Sequence, residues 1–264
     1  MYETLELERR GAAAIIRLNR PDALNAWNHA LGVELLDAVR AVAVDEDVRA
    51  VCVTGGGRAF SSGADLRDLT SRGTTEEGHP DVYTTLTTIY HPILTTLRRM
   101  PKPVIAAING PAVGIGCSLA LTCDLLIAAE SAYMLLAFVN IGLVPDGGAL
   151  ALVAARAGAG RAGRMALLGE RVPASDLRIW GLVDDVLPDH EFADFVSEML
   201  DRLAAGPTKS YAGAKRQINA WLYAGLEEQL ELEARIQQEM AASGDFREGV
   251  AAFLEKRPPK FSGG

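Results

Sequence analysis

The chain has 264 residues, 49% of them apolar and 23% charged, as expected of a globular protein with a substantial core rather than a disordered one. A formal net charge of −8 without a long basic run argues against a nucleic-acid surface, although an acidic chain can still bind an anion locally. Cys52, Cys117 and Cys123 are odd in number and lie in apolar runs without metal-ligand spacing, so buried, reduced thiols in a cytoplasmic protein are expected. The start MYETLELERR lacks a signal-peptide profile, and Gly, Pro, Asp and Asn break the apolar runs before they reach the length of a membrane span.

Along the chain, Thr4 to Glu8 alternates, Arg10-Gly11 offers a turn, and Ala13 to Leu18 reads as a returning strand. Asn25-Ala26 leads into a helix with Leu31, Leu35, Val39 and Val42 at helical spacing. Ala50 to Thr54 is a short apolar strand that ends in Gly55-Gly56-Gly57. Residues 67–81 are polar and carry Gly73, Gly78 and Pro80, so a mobile loop is expected there. A helix from Val82 to Arg99 and a strand from Val104 to Ile108 follow. Short β-branched runs alternating with helices predict an α/β core. From Glu191 the pattern becomes helical, charged on one side and apolar on the other, in FADFVSEMLDRLAAG, Lys209 to Tyr223 and LEEQLELEARIQQEMAA.

Two turns at strand ends carry candidate chemistry: Ser61-Ser62-Gly63-Ala64-Asp65-Leu66, and Gly114-Ile115-Gly116 at the start of a short helix. Backbone N–H groups from two such turns, converging on one point, would form an oxyanion hole; ordinary tight turns are the competing reading. Asp146 in LVPDGG follows an apolar stretch that reads as a strand. It suits a helix cap, or, facing an apolar pocket, a desolvated general base. Asp124 reads as structural, Asp65 as fixing its own loop, and His91 as a mid-helix residue whose default role is structural.

The runs RPDALNAW, GRAFSSGADL, PKPVIAAINGPAVGIGCSLALTCDLLIA, GLVPDGG, GERVPASDLRIWGLVDDVL and FREGVAAFLEKRPPKF, in this order over about residues 5–261, resemble the crotonase (enoyl-CoA hydratase/isomerase) family. The resemblance implies an α/β spiral of ββα units over residues 1–190 and a C-terminal helical oligomerisation region over residues 191–264, forming a trimer or a dimer of trimers. It implies an acyl-CoA thioester substrate, with coenzyme A as part of the substrate and no metal or redox cofactor. The oxyanion hole would be the N–H groups of Ala64 and Ile115. Contacts to the CoA ester would come from Ala23, Leu24, Ala64 and Leu66, and from Phe253 and Lys256 lent by a neighbouring subunit. Asp22 stands where many members place Lys.

Family hydratases use two glutamates to add water; their positions here hold Ser118 and Phe138, so weak hydratase activity is expected. Certain isomerases of the family carry an acid at the Asp146 position, among them the ring-epoxide phenylacetyl-CoA isomerases, which implies a single-base isomerase of the double-bond or ring-epoxide type. Leu86, Tyr90 and Phe138 would help wall the acyl pocket. Two alternatives remain. One is a hydrolase like 4-chlorobenzoyl-CoA dehalogenase, with Asp146 as nucleophile and His91 as base beside Phe138. The other is a non-catalytic acyl-CoA-binding protein.

Overall fold

Gly11, with a φ of +57°, closes the first hairpin between β1 (Leu5–Arg10) and β2 (Ala13–Leu18), and parallel pairing takes over from there. In the computed structural model, which describes residues 2–68 and 73–264, β2 is followed across the sheet by β3 (Ala50–Gly55), β4 (Val104–Ile108), β6 (Leu125–Ala129) and β9 (Asp185–Leu187), all parallel. Every residue of β3 and β4 is buried. A strand covered on both faces has no polar side to alternate with, which is why both read as unbroken apolar runs. A second, three-stranded sheet joins β5 (Ala112–Val113), β7 (Tyr133–Leu135) and β8 (Val172–Pro173).

Helix α1 (His29–Val44) starts where the Asn28 side chain accepts the Leu31 N–H at 3.0 Å, and Leu31, Leu35, Val39 and Val42 are its buried face. The segment read as one helix from Val82 to Arg99 is helical throughout but not uniform. A π-helical stretch, Leu86–Tyr90, separates α2 (Val82–Thr85) from α3 (His91–Arg99). Pro92 has no N–H to give the preceding turn, and the Thr87 and Thr88 hydroxyls donate to the Tyr83 and Thr84 carbonyls at 2.9 and 2.6 Å. Of the loop expected over 67–81, residues 69–72 lie outside the described residues; Thr74 and Pro80 form an isolated antiparallel bridge.

Helices α4 (Ile115–Thr122), α5 (Ala149–Ala157), α6 (Ala159–Leu168) and α7 (Ala174–Trp180) fill the second half of the α/β region. Four further helices end the chain: α8 (Asp189–Ala205), α9 (Thr208–Leu222), α10 (Leu226–Ala241) and α11 (Gly244–Glu255). The alternating β/α architecture with a C-terminal helical region is therefore the one formed. Among the described residues no helix is long and apolar enough to cross a membrane. The three cysteines are free and buried.

Asp124 sits at the junction of these parts. Its Oδ2 accepts the Val104 N–H at 2.9 Å and the Lys215 ammonium of α9 at 2.7 Å, while Oδ1 pairs with Arg98 of α3. Arg98 and Lys215 are 4% and 6% exposed, so Asp124 neutralises two buried cations at once. Burial pulls the Lys215 ammonium below its ordinary pKa, and Asp124 opposes that pull. Asp124→Ala leaves both cations without their carboxylate and should cost about 3–5 kcal/mol of stability, measured by urea denaturation. A loss below about 1 kcal/mol would show that the cluster is hydrated rather than buried.

Candidate active site

The two glycine turns predicted to matter are in direct contact. A Cβ on Gly63 (φ +92°) would lie 2.9 Å from the Val113 carbonyl oxygen and 3.7 Å from the Gly114 Cα, so the backbones touch only because Gly63 has no side chain. On the first turn, the Trp27 N–H donates to the Gly63 carbonyl at 2.8 Å, and the Asp65 N–H donates to the Trp27 carbonyl at 3.0 Å. This bridge uses the groups on either side of Ala64 and turns the Ala64 N–H the other way. On the second turn, Gly114 adopts φ +53° and ψ −125° as the N-cap of α4, a conformation open to glycine. Ile115 is then the first residue of α4, and its N–H has no intrahelical acceptor. Among the described residues, neither the Ala64 nor the Ile115 N–H makes a backbone hydrogen bond.

The loop around Ala23 and Leu24 is held by Asn25, which is fully buried. Its amide donates to the Gly56 and Ala59 carbonyls at 2.9 and 2.8 Å and accepts the Arg20 N–H at 2.9 Å. Asp65 serves its own loop, as expected, by accepting the Arg67 N–H and pairing with Arg20 at 3.2 Å.

Asp146 is 6% exposed and is not a helix cap. Helix α5 begins at Ala149, with Gly148 in the capping position and no side-chain cap. The stretch before it is also not the strand the sequence suggested: a 3-10 helix, Ala137–Ile141, leads into an irregular loop. Ser118 of α4 donates its hydroxyl to the Asp146 carbonyl at 2.7 Å. The Gln237 amide of α10 donates to Asp146 Oδ2 at 2.9 Å and accepts the Val144 N–H at 3.1 Å. One turn earlier on α10, Glu233 accepts the Gly148 N–H at 2.7 Å, and its Oε1 lies 3.6 Å from His91 Nε2. Burial, reinforced by the neighbouring Asp146 carboxylate, pushes Glu233 up to about 9. Burial pulls His91 down to about 4. Both shifts favour uncharged forms at neutral pH, so the Glu233–His91 approach is a neutral contact rather than an ion pair.

A cavity of about 620 Å³ opens between these elements. Its walls include Asp146, Ala64 and Ile115 together with Ala23, Leu24, Leu66, Phe138 and Phe253, and Leu86 and Tyr90 also line it. Lys256 does not line it; Arg257, the next residue, does. Phe253 lines the cavity of its own chain. It does so because α11 packs closely on the 137–141 helix, where a Cβ on Gly249 would sit 2.6 Å from the Ile141 backbone. His91 does not line the cavity either, and lies behind the wall against Glu233. Among the described residues no cluster of side chains suits a metal ion.

Sequence reasoning missed Asn25, Glu233 and Gln237. A signal existed for the last two: Leu230, Glu233, Ala234, Gln237 and Ala241 share the buried face of α10, so two polar residues interrupt an apolar stripe. Folded, Glu233 keeps its proton up to about 9, whereas the unfolded chain loses it near the ordinary value of 4.5. Its contribution to stability is thus full below the unfolded value and is lost as pH rises towards 9. Glu233→Gln, which mimics the protonated acid, should gain stability relative to the native chain as pH rises from about 5 to about 9, measured by thermal melting. A constant difference across that range would show that Glu233 ionises normally.

The enoyl-CoA hydratase/isomerase family profile matches residues 8–264. A probable enoyl-CoA hydratase of Rhodobacter capsulatus is 42% identical over 262 residues, covering 99% of each chain. The 1,2-epoxyphenylacetyl-CoA isomerase of Escherichia coli is 39% identical over 248 residues, 94% of each. The crystal structure of an enoyl-CoA hydratase from Mycobacterium avium subsp. paratuberculosis superimposes with a TM-score of 0.90 at 37% identity, over 99% of this chain and 100% of that one. With a shared fold and relatives aligned nearly end to end, the chain belongs to the enoyl-CoA hydratase/isomerase, or crotonase, family.

Proposed function

We propose that the protein is an acyl-CoA isomerase in which Asp146 is the single base. The observation that carries this reading is the Asp146 carboxylate, buried in the wall of the cavity that Ala64 and Ile115 also line. The other acids on that wall are placed differently: Asp22 is exposed, and Asp65 is paired with Arg20. The thioester oxygen accepts the N–H groups of Ala64 and Ile115. Asp146 removes a proton from the acyl chain, and the electron pair moves through the conjugated system onto that oxygen. The two donors meet the charge as it develops, which is where such donors lower a barrier most. The proton then returns at another carbon, with no net change in atoms.

Coenzyme A lies along Ala23, Leu24 and Leu66 towards Phe253. Phe138 presents a ring to the cavity, and Ser118 commits its hydroxyl to the Asp146 carbonyl and does not line the cavity. Neither can activate water, so hydration is slow. The isomerase name of the Escherichia coli relative supports this choice; the Rhodobacter relative's name marks hydration as the competing activity. A hydrolytic route through His91 loses its support because His91 lies outside the cavity wall. A pure binding role leaves the desolvated carboxylate without a purpose. Ile218, Trp221 and Leu222, exposed on α9, support assembly of the 191–264 region into a trimer or dimer of trimers, and three buried free thiols support a cytoplasmic location.

Incubation with a 3-enoyl-CoA in D2O should move the double bond and exchange deuterium into the acyl chain. Asp146→Asn should slow both by about 10²–10⁴-fold with little change in affinity for the CoA ester. Equal turnover by the variant would sink the single-base mechanism.

A further inference from the structure

Gln237 is fully buried on α10, yet its amide is engaged at both ends. Its orientation follows from the chemistry of its partners. The Val144 N–H can only donate, so the carbonyl end must face it, at 3.1 Å. The NH2 end is thereby committed to Asp146 Oδ2, at 2.9 Å. One side chain thus grips two residues, 144 and 146, of a loop that has no strand or helix of its own.

Some of the surroundings of Asp146 oppose its charge. Burial disfavours the carboxylate form, and Glu233, on the same face of α10, adds acidic repulsion whenever it ionises. His91, from α3, is uncharged at neutral pH. Asp65 and Arg67 from the first glycine turn, Asp22 from the 20–27 loop and Arg257 beyond α11 line the same cavity. An N–H donor acts in the opposite sense, because it is worth more to the charged acceptor than to the neutral one. A residue that could equally well accept, such as a glutamate, would not serve.

We infer that Gln237 is a positioning residue for catalysis: its amide, locked by Val144, holds the Asp146 carboxylate in one orientation and in its ionised form. The inference rests on Asp146 being the base. The C-terminal helical region then contributes to the reaction itself, since the base is aimed from α10 and not from the loop that carries it.

The test follows the Asp146 carboxyl by 13C NMR in aspartate-labelled protein, the resonance being assigned by its disappearance in Asp146→Asn. Gln237→Leu removes the donor, and its titration midpoint should rise by about one pH unit or more. Gln237→Glu keeps the length and the acceptor for Val144 but can donate only when protonated, so its shift should be the larger. Deuterium exchange into a 3-enoyl-CoA at neutral pH should fall about tenfold or more in Gln237→Leu with KM little changed. Gln237→Met makes the same comparison if Leu does not pack. A purely structural glutamine would lower the melting temperature and leave the midpoint where it was; folded variants with a native midpoint would overturn the inference. If Asp146→Asn exchanges deuterium as fast as the native protein, the base assignment fails on its own, and the shifted midpoint still decides whether Gln237 controls the carboxylate.

Discussion

The backbone contact between the Gly63 and Gly114 turns is the constraint on which the rest of the site depends. A Cβ on Gly63 would come within 2.9 Å of the Val113 carbonyl, so any side chain there would push the turns apart. Each turn is fixed from behind: the first by its bridge to Trp27, itself buried with its ring edge-on to Tyr90 at 4.9 Å, and the second by the Gly114 N–H, which donates to the Leu135 carbonyl at 2.9 Å. The parallel strands β3 and β4 deliver both turns at the same end of the sheet, which is where parallel α/β folds leave room for a ligand. In the proposed mechanism the backbone donors are then set in place before any substrate arrives, and preorganised donors cost no reorganisation when charge develops.

The opposite wall is assembled from distant parts of the chain. Asp146 belongs to a loop, but its carbonyl is held by Ser118 from α4 and its carboxylate by Gln237 from α10, 91 residues later. Glu233 adds a hold on the Gly148 N–H from the same helix face. Loops are poor platforms for geometry that must be accurate to a fraction of an ångström, and packing against two helices supplies what the loop lacks. The site is thus sensitive to changes in the C-terminal helices, far from Asp146 in sequence.

Much of the fold was legible. Strands β2, β3 and β4, helix α1 and the C-terminal helices α8, α9 and α10 follow from apolar periodicity, because each buries one face or both. The π-helical break at Leu86–Tyr90 was not, since a local widening leaves the apolar spacing nearly intact. Ala64, Ile115 and Asp146 were singled out from turn chemistry and family resemblance, and they do line one cavity. The buried carboxylate and amide of Glu233 and Gln237 escaped because polar residues in a charged helix look like its solvent face; only the tertiary fold turns them inward. Lys256 does not line the cavity of its own chain. The chain reverses there, with φ +57° at the end of α11, and it is Arg257 that reaches the cavity.

The most direct test of the account is a crystal structure with a bound, slowly reacting enoyl-CoA analogue. The account predicts the thioester oxygen at about 2.7–3.1 Å from the nitrogens of both Ala64 and Ile115. It also predicts a carboxylate oxygen of Asp146 at about 3–3.5 Å from an acyl-chain carbon. A thioester oxygen bound elsewhere, or an acyl chain lying beyond the reach of Asp146, would contradict it.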